Sequence, residues 1–229
     1  IVHVMNPEDA SRFEIRIYQT SDLSLVRSLP DVQAAHAVSR DGRMLAFIGS
    51  GKTQVSIHDI ASGERNRSIE TSVNLSRIVF SPDGDLVWGV ERSGVIVGSW
   101  NVADGKRSGS MFPMDGRIDL IAPLPNGKHM ASTAGAQTVM LQHVTGASSG
   151  MLLNGHEDVV RSLAVSPDGG WLATGGNDHG CRLWSTKTRG PGSRTDQVFP
   201  RIHFDLNPPG VFERTAAGSW MGEGNPVSA

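Results

Sequence analysis

Residues 155–188 read "GHEDVVRSLAVSPDGGWLATGGNDHGCRLWSTKT". A short apolar run, "SLAV", leads into Ser166-Pro167-Asp168-Gly169, and a second run, "WLATGG", follows at once. In such a turn Pro fixes φ, Asp bonds the neighbouring backbone and Gly accepts a positive φ. The same spelling recurs along the chain as "SRDGRMLAF", "SPDGDLVWG", "LPNGKHMAS", "SPDGGWLAT" and "NPPGVFERT". The central residues are Asp41, Asp83, Asn126, Asp168 and Pro209, at intervals of 42, 43, 42 and 41 residues. A period that steady marks a repeat architecture.

Each unit has the same plan. An apolar strand precedes the turn and a second strand follows it. A third comes about ten residues on: "QVSIHDI", "VIVGSWNV", "TVMLQHV" or "GCRLWST". A polar turn then leads to a fourth, more polar strand. Four strands every ~42 residues describe one blade of a β-propeller, so the expected fold class is all-β with four-stranded antiparallel blades. Glycine is abundant, at 27 of 229 residues, and long helical patterns are missing, which agrees with a turn-rich β chain. We expect a partial blade over residues 1–30 and units near 31–71, 72–114, 115–154 and 155–190. Residues 191–229 read as a loop plus a degenerate or incomplete further blade. Two architectures fit: a small five-bladed ring whose terminal strands share a blade, or an arc of a larger propeller of about seven blades. The opening at Ile1 without an initiator Met favours the arc, a piece of a longer protein.

The unit at 155–188 resembles the WD40 repeat family. Gly155-His156 fills the family's Gly-His position and Trp184-Ser185 its Trp-Asp position. The resemblance covers about residues 1–190 and implies a hydrogen-bonded chain of four side chains, His156, Thr174, Asp178 and Trp184, with a structural rather than catalytic role. It further implies protein recognition through loops on one propeller face, which places Asp158, Arg161, Asn177 and His179 there. The other units depart from the pattern. His58-Asp59, Trp100-Asn101 and Gln142-His143 stand at the Trp-Asp step, and those blades are expected to rely on packing. The expected function is a non-enzymatic scaffold for protein partners, binding neither nucleic acid nor membrane and using no cofactor. The alternative is a sensor or accessory propeller of a kinase, NTPase or hydrolase whose catalytic part lies outside this chain.

Composition bounds the same choice. A net charge of −2 gives no electrostatic footprint for nucleic acid. A hydrophobic fraction of 38% is enough for a core, yet no apolar run approaches the ~18 residues of a membrane helix. No signal-peptide pattern is present in the sequence as given, and a single cysteine, Cys181, excludes an internal disulfide framework. These features lead us to expect a cytoplasmic protein.

Several local motifs compete with the repeat. "GSGKT" at residues 49–53 ends like a phosphate-binding loop, but Ala46 stands at the position of its first glycine and the alternating "QVSIHDI" follows instead of a helix. "GASSG" at 146–150 spells a nucleophile elbow but sits in a turn before a fourth strand, so Ser148 reads as a turn residue. The eight histidines show no ligand spacing, and no metal site is expected. Lys187, Arg189 and Arg194 read as a solvated loop, and the sequons at Asn66 and Asn74 say little alone.

Overall fold

The structure, a computed structural model, describes residues 2–5, 13–49, 53–108, 112–113, 116–145, 150–186, 202–205, 212–214 and 220–222. The phosphate-loop tail at 50–52, Ser148, and the basic residues at 187, 189 and 194 lie outside the described residues. Every regular element among the described residues is a β-strand. The chain divides into two compact units, Ile1–Phe112 and Pro113–Ala229.

In the first unit, strands β1 (Val2–Met5), β2 (Phe13–Tyr18), β3 (Leu25–Val38), β4 (Met44–Gly49), β5 (Gln54–Asp59) and β6 (Arg65–Glu70) form one six-stranded antiparallel sheet in that order. The sequence reading separates residues 1–30 from the unit beginning at 31; the chain instead runs through that boundary as a single 14-residue strand. Val32 pairs with Phe13 on one side and with Gly49 on the other. Pro30 favours this continuity, because the residue before a proline is driven to extended backbone. The second sheet holds β7 (Leu75–Phe80), β8 (Leu86–Glu91), β9 (Ile96–Asn101) and β10 (Phe112–Pro113), ordered β10-β9-β8-β7. The two sheets bury a common core. Ala46, Ile48, Val55, Ile57 and Ile69 pack with Leu75, Ile78, Phe80, Val87 and Trp100. The opposite face of β4, Leu45 and Phe47, packs with Ile15, Ile17, Leu29 and Val32. Buried on both faces, β4 therefore reads as the continuous apolar run "MLAFIG" rather than as an alternation.

In the second unit, β11 (Ile121–Pro123), β12 (His129–Thr133), β13 (Val139–His143) and β14 (Met151–Leu153) form a third sheet. Strands β15 (Val160–Val165), β16 (Trp171–Gly176), β17 (Gly180–Ser185) and β18 (Ile202–Asp205) form a fourth. A hairpin of β19 (Phe212–Arg214) and β20 (Trp220–Gly222) follows. The third and fourth sheets share a core in which Leu124, Ala131, Val139, Leu141 and Leu153 meet Val160, Leu172 and Trp184.

The recurring turn is built alike in the first, second and fourth sheets; the expected turn at Pro209 lies outside the described residues. At residues 39–44 the Ser39 hydroxyl donates to Asp41 (2.6 Å), Asp41 accepts from Arg43 N–H (3.0 Å), and Met44 N–H donates to Ser39 Oγ (2.8 Å). Ser81/Asp83 and Ser166/Asp168 repeat the set. In the third sheet Leu124 replaces the serine, and Asn126 Oδ1 takes both Lys128 and His129 N–H. The glycines of these turns, Gly42, Gly84, Gly127 and Gly169, stand at φ +72, +80, +65 and +71°. A Cβ there is disfavoured, which is why glycine recurs.

The repeat also holds in register. Thr174 and Arg182 are cross-strand partners, as are Leu172 and Trp184. The same two pairs are Phe47–Ser56 and Leu45–His58, Gly89–Gly98 and Val87–Trp100, and Ser132–Met140 and Met130–Gln142. The Gly89–Gly98 pair explains how Trp100 is seated. A Cβ on Gly98 would lie 2.7 Å from the Trp100 ring, and one on Gly89 would lie 2.7 Å from Leu75 and 3.1 Å from the same ring. The indole occupies the space that the other sheets fill with side chains. Gly98→Ala is therefore expected to destabilise the protein by about 1–3 kcal/mol through overpacking. Urea unfolding checks this, and an unchanged midpoint would show that the indole is not confined by these glycines.

Candidate functional site

Among the described residues, a densely bonded polar group lies in the fourth sheet. Strand β17 alternates buried and half-buried residues, so Gly180, Arg182 and Trp184 share its inner face. Thr174 on β16 stands opposite Arg182, and His156 enters from the segment before β15. The Trp184 indole N–H donates to Thr174 Oγ1 at 2.8 Å. Thr174 Oγ1 lies 2.7 Å from His156 Nε2, and His156 Nδ1 lies 3.0 Å from each oxygen of Asp178. The four residues that the sequence reading grouped are thus joined end to end. Trp184 and the His156 side chain are fully buried, and the Asp178 side chain is 6% exposed.

Asp178 is also an anchor for backbone. Its Oδ2 accepts from Glu157 N–H (3.0 Å) and its Oδ1 from Gly180 N–H (3.2 Å). Burial alone would raise the Asp178 carboxyl, but the Glu157 N–H, His156 and the Gly180 N–H outweigh it and hold the group well below the ordinary carboxylate range. Gly176 makes the approach possible, since a Cβ there would stand 2.6 Å from Asp178 Oδ1 and 2.7 Å from His156 Nδ1.

Sequence reasoning missed Arg182. Its guanidinium is buried, with Nη1 donating to Asp178 Oδ2 at 2.6 Å and lying 2.7 Å from His156 Nδ1. The available signal was period two: a lone arginine two residues before a tryptophan, on the same face of a strand.

The expected recognition residues lie directly outside this group. Asp158, Arg161, Asn177 and His179 are all exposed. Arg161 Nε donates to Asn177 Oδ1 at 3.0 Å, and Asn177 N–H donates to the Val159 carbonyl at 2.9 Å, so the two loops are pinned together. Asp158 Oδ1 accepts from Val159 N–H. His179 holds φ +59°, an uncommon left-handed conformation for a non-glycine residue.

The other sheets use the equivalent positions differently. His58 stacks on Phe47, with centroids 5.1 Å apart, and its Nδ1 is 3.1 Å from the Gly63 carbonyl. Asp59 accepts Ser62 N–H (2.7 Å) and caps the following turn. His129 and His143 meet edge to face at 5.4 Å, and burial, then the neighbouring His143 and Lys128, push His129 below the usual histidine range. Among the described residues no three His, Cys, Asp or Glu side chains group as metal ligands, and no helix is long and apolar enough to cross a membrane.

Comparison with known proteins defines the class. The structure matches the β-propeller domain of Cps50 (Swd1) from Myceliophteria thermophila with a TM-score of 0.68, covering 93% of this chain and 73% of that one at 12% identity. The sheets are therefore blades of a β-propeller. Residues 147–185 match the family model "WD domain, G-beta repeat". The chain is thus a propeller that carries a WD40 repeat. It is 26% identical over 147 residues to the transcriptional corepressor LEUNIG_HOMOLOG of Arabidopsis thaliana, across 63% of this chain and 18% of the relative. It is 54% identical over 37 residues to the ribosome biogenesis protein erb1 of Botryotinia fuckeliana, across 16% of this chain and 5% of that protein. The chain spans less than a fifth of the length of these curated relatives, and a 37-residue match is about one repeat long.

Two outcomes follow from the buried chain. Trp184→Ala is expected to destabilise by about 3–5 kcal/mol in urea unfolding; a loss below about 1 kcal/mol would mean that the indole does not support the blade. Asp178→Asn leaves Arg182 buried without its counter-charge, a loss of about 3–5 kcal/mol. The folded-state carboxyl lies below its unfolded value near 3.9. Its contribution is therefore complete above about pH 4 and falls as the pH drops below that. The gap between wild type and Asp178→Asn should narrow in that window; a gap constant from pH 7 to pH 3 would contradict the assignment.

Proposed function

We propose that this chain is a non-catalytic scaffold that binds a protein partner through the loops carrying Asp158, Arg161, Asn177 and His179. One observation carries the reading. The Asp178 carboxylate takes hydrogen bonds from Glu157 N–H in one loop and from Gly180 N–H where the other loop enters β17. Four exposed polar side chains thus stand on a base held from beneath by a buried charge. A surface pre-arranged in this way loses less conformational entropy when a partner docks. Arg161 is the natural anchor, because its guanidinium is already oriented by Asn177 and arginine is enriched among interface hot spots.

His156 and Asp178 are the residue types of a proton-transfer pair, yet both side chains are buried and already hydrogen-bonded, out of reach of a substrate. That supports a structural role and a non-enzymatic protein. A net charge of −2 supports a protein surface, rather than a phosphate backbone, as the counterpart. The relatives' names, a transcriptional corepressor and a ribosome biogenesis protein, fit work within assemblies.

The test is affinity capture from the source cells with wild type, Arg161→Glu and Asp158→Lys, alongside thermal melts. Loss of the same captured protein by both variants, at unchanged melting temperature, is expected. Retention of full capture by both would refute this face as the binding surface.

A further inference from the structure

We propose that the end of the β2–β3 hairpin, at Leu23, Leu25, Val26 and Arg27, docks a short segment of a partner protein that carries an acidic residue beside apolar ones. This surface lies in the first unit and does not depend on the recognition reading above. The turn from β2 to β3 has the same main-chain bonds as two others in that unit. Gln19 N–H donates to the Ser24 carbonyl and Leu23 N–H to the Gln19 carbonyl. Asp59, Glu64 and Gly63 repeat the pair of bonds, as do Asn101, Lys106 and Gly105. Gly63 and Gly105 stand at φ +71 and +73°, and Leu23 takes their place at φ +58°. That backbone is unfavourable for a bulky side chain. Burial does not repay it, because Leu23 is 75% exposed. Leu25 and Val26 follow at 54% and 48% exposure. Leu25 pairs with Tyr18 as Arg65 pairs with His58, and Val26 and Asn66 are the extra residues of matching bulges. Three apolar side chains thus stand in solvent where the β5–β6 hairpin has Gly63, Arg65 and Asn66.

Arg27 gives the patch its charge. Its guanidinium lies against Gly63, where a Cβ would stand 2.3 Å from both Nε and Nη1. The buried Nε has no hydrogen-bond partner, and among the described residues no carboxylate pairs with this arginine. Shape holds the group in place and leaves its charge unmatched. A carboxylate from outside can therefore meet it in a charge-assisted bond without displacing a partner. The strand beside it is open as well. Residues 25–29 pair with β2 on one side, and among the described residues no strand pairs with them on the other. An extended segment can take up main-chain hydrogen bonds along such an edge while apolar contacts select its side chains. Size separates a segment from a whole face. Three side chains at one turn fall well short of the ~800 Å² per partner that a stable dimer buries.

The test is selection of a random peptide library displayed on phage against the full chain, followed by affinity measurement with the selected peptides. The peptides should be enriched in Asp or Glu next to Leu, Ile, Val, Phe or Met. Their binding should weaken by about tenfold or more for Arg27→Glu, and likewise for the combined Leu23→Gly, Leu25→Arg, Val26→Asn variant, which carries the residues of the β5–β6 hairpin. Thermal melts accompany each variant. Leu23→Gly alone should keep or raise the melting temperature, because glycine takes the left-handed backbone freely. A clear fall would assign Leu23 to the fold and overturn the proposal. Selection of no peptide, of peptides without acidic residues, or of peptides indifferent to these variants would also overturn it. So would self-association in sedimentation velocity, or cosedimentation with phosphatidylserine vesicles, that the combined variant abolishes, since a second copy or a membrane would then be the occupant. If the combined variant or Arg27→Glu does not fold, peptide binding by Leu23→Gly decides: a loss supports the surface and full retention overturns it.

Discussion

Every blade must fill the same volume, the space above two cross-strand pairs on its second and third strands. The rest of the fold depends on how that volume is closed, because the cores between neighbouring sheets run past it. The fourth sheet closes it with Trp184 hydrogen-bonded to Thr174 and backed by Arg182. The second closes it with Trp100 lying over a Gly89–Gly98 pair, so the indole is held by shape, with the Arg107 guanidinium 6.0 Å from its ring centroid. The first uses a stacked Phe47–His58 pair, and the third uses Met130, Met140 and Gln142, with Ser132 opposite Met140. Close packing demands that the space be filled; it does not demand the same residues each time.

That freedom explains what was legible in the sequence. The turn is local chemistry, in which serine, aspartate and glycine bond one another within six residues, so its spelling survives in each unit and the period could be read directly. Leu124 shows the limit: the serine is gone, but Asn126 and Gly127 still make the turn. The long strand β3 was not legible, because its two halves belong to different pairings and only the partner strands reveal that one chain segment serves both. The packing of the degenerate blades was hidden for a related reason. Gly89 and Gly98 matter only because they face each other across two strands, a relation that spacing along the chain does not display.

Within the site, the chain of His156, Thr174, Asp178 and Trp184 was readable because it follows a known repeat spelling. Arg182 was not, since a strand arginine between Cys181 and Leu183 looks like any solvated cation until its strand is known to be covered on that face. Gly176 was equally silent. Its value is the missing Cβ that lets Asp178 and His156 close on each other.

Buried ions are costly unless their partners are complete, and replacing them with apolar groups is often neutral for stability alone. Stability is therefore a weak reason for this blade to bury an aspartate, an arginine and a histidine. Trp100 demonstrates within the same chain that an indole can be seated without burying such a group, since the Arg107 over its ring is exposed. What the polar group adds is directional: Asp178 holds the backbone N–H of Glu157 before β15 and of Gly180 at the start of β17, and Arg182 donates to the same carboxylate. Apolar packing is tolerant of small shifts; hydrogen bonds converging on one carboxylate are not. The polar chain thus ties to one buried carboxylate the two segments that flank Asp158, Arg161, Asn177 and His179.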